Sequence, residues 1–431
     1  MTERPKPKKI WYRLDNAALI FPAVRRPGWN NVFRMSATFS EPIDPKVLEQ
    51  AVADIKPRFP TFFVKLRTGF FWCYLQQIDT PVRVRKDFAY PLTHMHLREL
   101  HKCCIRVLYF NDRIAVEFFH SVTDGTGGSI FLQTLAARYI ALRYGTAVTP
   151  GGGVLDISEK PAKEELEDGF LRCASKYSFD RSEKASYRLH GTPEADFFRH
   201  LTTGIIDTDK LLEAAHRYNV SVTVFLAAVM AEAIIKIQAS ERRRSRWKPV
   251  KITIPVNLRK MYGHRTLRNF ALTVNIGVDP KFGDYTLEQL CTDMSHELYY
   301  DATPQRMAGS IAANVNPQKS KLLRVMPLFI KNIAMKLVYH LRGERMGSIN
   351  ISNLGQVKLP EEMTGFVKRM EFIIGIQLSY PNNCSVISYG GKTYVNMIRS
   401  IKESELERLF FSRLVELDVP VMIESNERRD G

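Results

Sequence analysis

Three residues in the stretch EFFHSVTDGTGG, Glu117 to Gly128, have the types and spacing of catalytic chemistry: His120, Asp124 and Gly125. A histidine leaving an apolar run can be held with one ring nitrogen facing a cavity while a hydrogen bond to the other fixes its tautomer. Its unperturbed pKa of about 6.5 lets it accept a proton from a hydroxyl, amine or thiol near neutrality and return it to a leaving group. Asp124, four residues on, either orients the imidazole or pairs elsewhere to hold the turn. A plainer alternative makes it the cap of a following helix, with a buried histidine beside it. Gly125 admits a close backbone approach at the helix start.

Other patterns fail on single positions. A dinucleotide loop built on GTGG would need glycine where Ile130 stands, and a phosphate loop built on GGKT at Gly390 would need one at Val386. HELYY from His296 has Tyr300 where a zinc protease has its second histidine, and no GxSxG elbow is present. His94, His96 and His101 lack supporting cysteine or carboxylate spacing, so surface histidines and no metal are expected there.

The elements that must position His120 are legible from periodicity. NVFRMSATFS reads as a strand, PIDPKVLEQAVADIKPRFP as a helix starting between Pro42 and Pro45, and TFFVKLRTGFFWCYLQQ as an aromatic hairpin. KCCIRVLYF and RIAVEFF flank the two-residue turn Asn111-Asp112. Ile130, Leu132, Leu135, Tyr139 and Leu142 then recur at helical spacing, which puts the histidine on a strand-to-loop-to-helix junction. Residues 145 to about 191 are polar and poorly periodic, as in a crossing linker.

The same grammar then repeats. FFRHLTTGIID is a strand, a helix follows capped at Asp207 or Asp209, and VSVTVFLAAVMAEAIIKI, broken by Glu232, reads as a buried helix. KITIPVNL and FALTVNIGV are strands; helices follow as far as Gly343. GSINISNLG, MEFIIGIQLSY, CSVISYG and TYVNMIRS are further strands, the last two joined by Gly390-Gly391. MPLFIKNIAMKLVYHLRG, Met326 to Gly343, is basic and amphipathic; packing onto a sheet is expected, while the pattern also allows peripheral contact with anionic membrane. The simplest organisation is two α/β units of similar size.

Composition bounds the rest. The 431 residues carry 62 Lys and Arg against 45 Asp and Glu, a net +17 that biases the surface toward anionic partners without selecting one. The densest basic run, ERRRSRWKPVK, has no nucleic-acid-binding context and is expected to be a solvated loop, so no nucleic-acid partner is expected. The six cysteines show no CxxC spacing and MTERPKPKKIWYRL no apolar signal core, so a reducing cytoplasm is expected.

His120-x-x-x-Asp124-Gly125 after an apolar strand, with IPVNLRKMYGHRTLRNFALTVNIG (Ile254 to Gly277) and NISNLGQVKLP (Asn350 to Pro360), resembles the CoA-dependent acyltransferases related to chloramphenicol acetyltransferase. The resemblance runs from about Trp11 to Arg399 and is nearest the alcohol acetyltransferase-like branch. It implies an α/β fold of two sandwich halves with mixed sheets and an active-site tunnel at their interface. The halves are residues 1–150, carrying the HxxxDG motif, and 196–431, with a crossing linker at 151–195.

The resemblance further implies transfer of an acyl group from an acyl-CoA co-substrate to the hydroxyl or amine of a small-molecule acceptor, without a metal. His120 takes the base role. Asp124 points away from substrate to a salt bridge with Arg259, and Gly125 shapes the turn. Ser352 and Asn353 are tunnel wall or oxyanion donors, against the plainer reading of a strand-end turn. An acyl carrier protein as donor and a catalytically silent binding module stay open as alternatives. Phe119 stands where many relatives have a first histidine, which weakens a peptide-condensation reading, and the plant-type DFGWG signature is missing.

Overall fold

Strand alternation and apolar helices build three sheets in the computed structural model of this chain, which describes residues 10–25, 31–88, 90–178, 183–338, 346–376 and 380–427. The first sheet runs in the order Val367–Ile374, Val32–Phe39, Arg113–Phe119, Ile105–Phe110 and Val84–Lys86. All its pairings are antiparallel except the edge strand Val84–Lys86. The central strand Arg113–Phe119 is buried almost throughout, and the expected turn at Asn111-Asp112 feeds it, with Asn111 at φ 48°.

The second sheet has seven strands: Ala271–Val278, Val250–Asn257, Ile349–Gln356, Asn382–Tyr389, Lys392–Arg399, His200–Asp207 and Val421–Ser425. It is mixed, with Ile349–Gln356 parallel to both neighbours. The aromatic hairpin pairs Val64–Thr68 with Cys73–Gln77, and Trp11–Arg13 adds a third strand.

Two twenty-residue helices fill the layers. Gly125–Tyr144 starts under the Asp124 cap and packs on Pro45–Ile55, itself capped by Asp44. Val222–Glu241 is long and apolar enough to cross a membrane by length and composition, yet 61% of its apolar window is buried inside the molecule. Its fully buried Gln238 exchanges two hydrogen bonds with the Lys248 backbone, so the one deep amide is satisfied. The basic run behind it is mostly exposed, with Arg244 over the Trp247 ring.

Two apolar cores result, and the chain crosses between them inside the expected linker: Val154 lies in the first, Phe170, Tyr187 and Leu189 in the second. The crossing segment is pinned at Glu165. Glu165 accepts from Arg58 Nη1 and Nη2 at 2.6 and 2.8 Å. One strand does not follow the division at 150 and 195: Val367–Ile374 comes from the 196–431 segment and closes the first sheet against Val32–Phe39.

The segment from Met326 departs from expectation. Leu328–Val338 is a helix, but it packs on the short helix Ile20–Val24 and the tip of the aromatic hairpin instead of on a sheet. Lys331 is turned toward the protein. Residues 339–343 of that segment, and residues 377–379 of the expected strand MEFIIGIQLSY, lie outside the described residues.

Candidate active site

The strand Arg113–Phe119 stops because the next residues turn: the Val122 amide donates to the Phe119 carbonyl at 2.9 Å, and the His120 amide to the Asn31 carbonyl at 2.8 Å. His120 is half-buried. Its ring stacks on Phe21 with centroids 4.6 Å apart and meets the edge of Phe33 at 5.2 Å.

Among the described residues the imidazole has one polar protein partner, 149 residues away. His120 Nδ1 lies 3.0 Å from Asn269 Oδ1. The orientation of that amide follows from its other contacts: Asn269 Nδ2 donates to Asp15 Oδ2 at 3.1 Å and to the His120 carbonyl at 2.9 Å. A carbonyl oxygen only accepts, so the amide nitrogen must face it and Oδ1 must face the ring. Nδ1 therefore carries the hydrogen and Nε2 has the free lone pair.

Asn269 is fixed in turn by a buried charged group. Asp15 is fully buried, accepts from the Ala18 amide at 2.8 Å and has the Arg268 guanidinium 3.6 Å away. Burial pushes its pKa up, and Arg268 and Asn269 only partly oppose this. Asp168 nearby is pushed up to about 6, by burial first and then by the Asp15 charge. Neither Asn269 nor Asp15 was assigned a role from sequence. Asn269 falls within the Ile254 to Gly277 stretch, and its position at the foot of the strand Ala271–Val278 was the available signal.

Asp124 does not touch the imidazole. It accepts from Arg259 Nη1 and Nη2 at 2.9 and 3.0 Å, from the Phe270 amide at 2.8 Å and from the Gly127 amide at 3.2 Å. The capping and bracing alternatives are thus both met by one carboxylate. Burial alone would raise its pKa, but the Arg259 charge and these donors hold it below the ordinary carboxylate range. Arg259 spends its remaining donors on the Thr266 and Arg268 carbonyls and on Asn257 Oδ1. All five N–H groups are occupied, so the guanidinium has nothing left for a substrate.

The turn is closed by contacts that leave no room for side chains. A methyl on Gly125 would stand 2.8 Å from Leu354 Cδ2 and 3.2 Å from Phe372 Cζ. One on Gly127 would meet Thr123 Oγ1 at 2.1 Å and the Leu267 carbonyl oxygen at 2.3 Å. The SNLG stretch is therefore held against the HxxxDG turn through Leu354. Asn353 is engaged there, donating to Thr223 Oγ1 at 3.0 Å and accepting from the Gly355 amide at 2.8 Å. The half-buried Ser352 hydroxyl makes no hydrogen bond to another described residue.

His94 and His96 meet ring to ring, with centroids 4.7 Å apart. Among the described residues no three His, Cys, Asp or Glu side chains cluster as a metal site would require.

The architecture has close structural parallels. TRI101 from F. graminearum, in complex with coenzyme A and deoxynivalenol, superposes with TM-score 0.63 at 10% identity over 96% of this chain and 99% of its own. The first condensation domain of the CDA synthetase gives 0.60 at 16% identity, over 96% and 99%. Polyketide synthase associated protein 5 from Mycobacterium tuberculosis gives 0.56 at 13%, over 94% and 96%. The chain has the chloramphenicol acetyltransferase-like fold. The likeness extends over the whole of this fold, so the sandwich architecture expected from HxxxDG and its companion stretches is the one observed. No family model matches the sequence, and no curated protein matches it.

Proposed function

We propose that the protein is an acyltransferase that moves an acyl group from an acyl-CoA thioester to a hydroxyl or amine, with His120 Nε2 as the general base. The observation that carries this reading is the Asn269 amide, whose hydrogen bonds put the proton of the neutral imidazole on Nδ1 and its lone pair on Nε2. Nε2 takes the proton as the acceptor oxygen or nitrogen attacks the thioester carbonyl. A tetrahedral oxyanion forms. When it collapses, the carbon–sulfur bond breaks and the proton passes from Nε2 to the departing sulfur. The products are ester or amide and free CoA, with no acyl-enzyme.

The remaining residues keep the base in place. Asp124 and Arg259 lock the turn that follows it, and Phe21 fixes the ring plane. Ser352, whose hydroxyl has no hydrogen bond among the described residues, is the better oxyanion donor of the two SNLG residues; such a contact is worth about 3 kcal/mol in a transition state. Fold likeness supports the reaction class, since TRI101 carries coenzyme A in its complex. The alcohol acetyltransferase-like specificity, the tunnel between the halves and a reducing cytoplasmic location belong to the same proposal. Six unpaired cysteines support the last.

The test is thiol release from a panel of acyl-CoAs with alcohols and amines. His120→Ala should lower the rate about 10²- to 10⁴-fold. Equal release by both proteins removes the assignment. Donation from a carrier-bound pantetheine arm uses the same chemistry, and turnover with a loaded carrier but not with free CoA would identify it.

A further inference from the structure

A surface helix ordinarily turns its apolar stripe to the core and its charges to water. Leu328–Val338 turns an apolar stripe outward. Lys331 faces the protein and donates to the Phe71 carbonyl at 2.9 Å, while Phe329, Ile333 and Leu337 stand 65%, 66% and 59% exposed, one turn apart on a single stripe. Val325, at the end of the preceding short helix Lys321–Val325, is also 65% exposed. Of the outward residues of this helix, Phe329, Ile330, Ile333, Ala334, Lys336 and Leu337, only Lys336 is charged.

The neighbouring surface extends the patch. The aromatic hairpin tip is tied to the helix by the Leu328 amide, which donates to the Phe70 carbonyl at 2.9 Å. Phe70 is 70% exposed and Trp72 49%. Charge marks out the partner. From Ala302 to Gly343 the chain has seven Lys and Arg (Arg306, Lys319, Lys321, Arg324, Lys331, Lys336, Arg342) and no Asp or Glu. Lys319, Lys321 and Lys336 are exposed.

We propose that this face is a docking surface for an anionic lipid bilayer. The exposed stripe enters the acyl boundary, Trp72 and Phe70 settle at headgroup depth, and the exposed Lys319, Lys321 and Lys336 meet the lipid phosphates. A soluble acidic partner would match the lysines but would leave the apolar stripe without a reason. The helix packs on Ile20–Val24, whose Phe21 stacks on His120, so docking brings the bilayer to the element that carries one wall of the candidate site. The proposal stands independently of acyl transfer.

The test is co-sedimentation of the full chain with vesicles of phosphatidylcholine alone and of phosphatidylcholine mixed equally with phosphatidylserine. Binding is expected to the mixed vesicles, to weaken as salt rises, and to fall about tenfold or more in the variant Phe329→Gln, Ile333→Gln, Leu337→Gln. These side chains are exposed, so the variant should keep the wild-type thermal transition; a second variant, Lys319→Gln, Lys321→Gln, Lys336→Gln, tests the charge separately. Wild-type protein that stays in the supernatant with both vesicles overturns the proposal. So does unchanged binding by both variants. A concentration-dependent dimer in sedimentation velocity that the first variant dissociates, without vesicle binding by the wild type, would assign the face to a second copy of the chain instead.

Discussion

Asn269 Oδ1 sits 3.0 Å from His120 Nδ1, and the same amide donates to the His120 carbonyl and to buried Asp15, so one side chain fixes both the ring and the backbone of the proposed base. Asn269→Ala should keep the fold but lower acyl transfer about 10- to 100-fold, a loss of about 1.4 to 2.8 kcal/mol in transition-state stabilisation. Nitrogen NMR of His120 supplies the readout that a structural role would not move. The wild type should show the Nδ1–H tautomer and the variant a mixture; an unchanged tautomer with unchanged rate removes Asn269 from the mechanism.

The Asp124–Arg259 pair is buried and every donor of the guanidinium is in use. Arg259→Ala leaves a buried carboxylate and two carbonyls short of donors, and should cost about 3 to 5 kcal/mol in urea denaturation. Removing both charges together with apolar residues of similar size should cost less than the single change. Single and double variants of equal stability would show that the pair does not brace the turn.

Two carboxylates predict opposite pH slopes. Asp124 has a folded pKa below its unfolded value, so its contribution is complete above about pH 4 and is lost as pH falls through the lowered folded value. Asp168 has a folded pKa raised to about 6, so the folded state holds its proton more tightly and stability falls as pH rises from about 4 to about 6. Denaturation free energy measured across that interval should slope downward less in Asp168→Asn than in the wild type. An identical slope in the two proteins would contradict the desolvation, reinforced by the Asp15 charge, that raises the Asp168 pKa.

The two motif glycines should fail differently. Gly125→Ala collides with the side-chain ends of Leu354 and Phe372 and should cost about 1 to 3 kcal/mol, much of it recovered by adding Leu354→Ala. Gly127→Ala meets the Leu267 carbonyl as well as a hydroxyl, and no side-chain trimming relieves a backbone contact. Thermal melts of these variants and of Gly127→Ala with Thr123→Ala decide this. Rescue of Gly127→Ala by Thr123→Ala alone would show that the backbone gives way after all.

Local periodicity made most of the elements around the site legible, because each is decided by residues within one helix or strand. The hairpin at Asn111-Asp112, the cap at Asp124 and the final turn at Gly390-Gly391 all have local causes. The Asp124–Arg259 pair required the family resemblance, since 135 residues separate its members. Asn269 and Asp15 were missed because their value lies in a hydrogen-bond geometry that joins residues 254 apart. The outward face of Leu328–Val338 was misjudged for a related reason. An amphipathic pattern shows that one face is apolar, and only the neighbours decide whether that face meets protein.

The strand Val367–Ile374 has a bearing on how the molecule is made. During synthesis the sheet that ends in His120 is complete except for one edge while more than two hundred further residues emerge. Until then Val32–Phe39 presents an unpaired, almost wholly buried-type edge, the kind of surface that recruits other chains. A nascent chain stopped before Val367 should therefore aggregate or hold a chaperone, and His120 acquires its finished surroundings only after Val367–Ile374 has emerged.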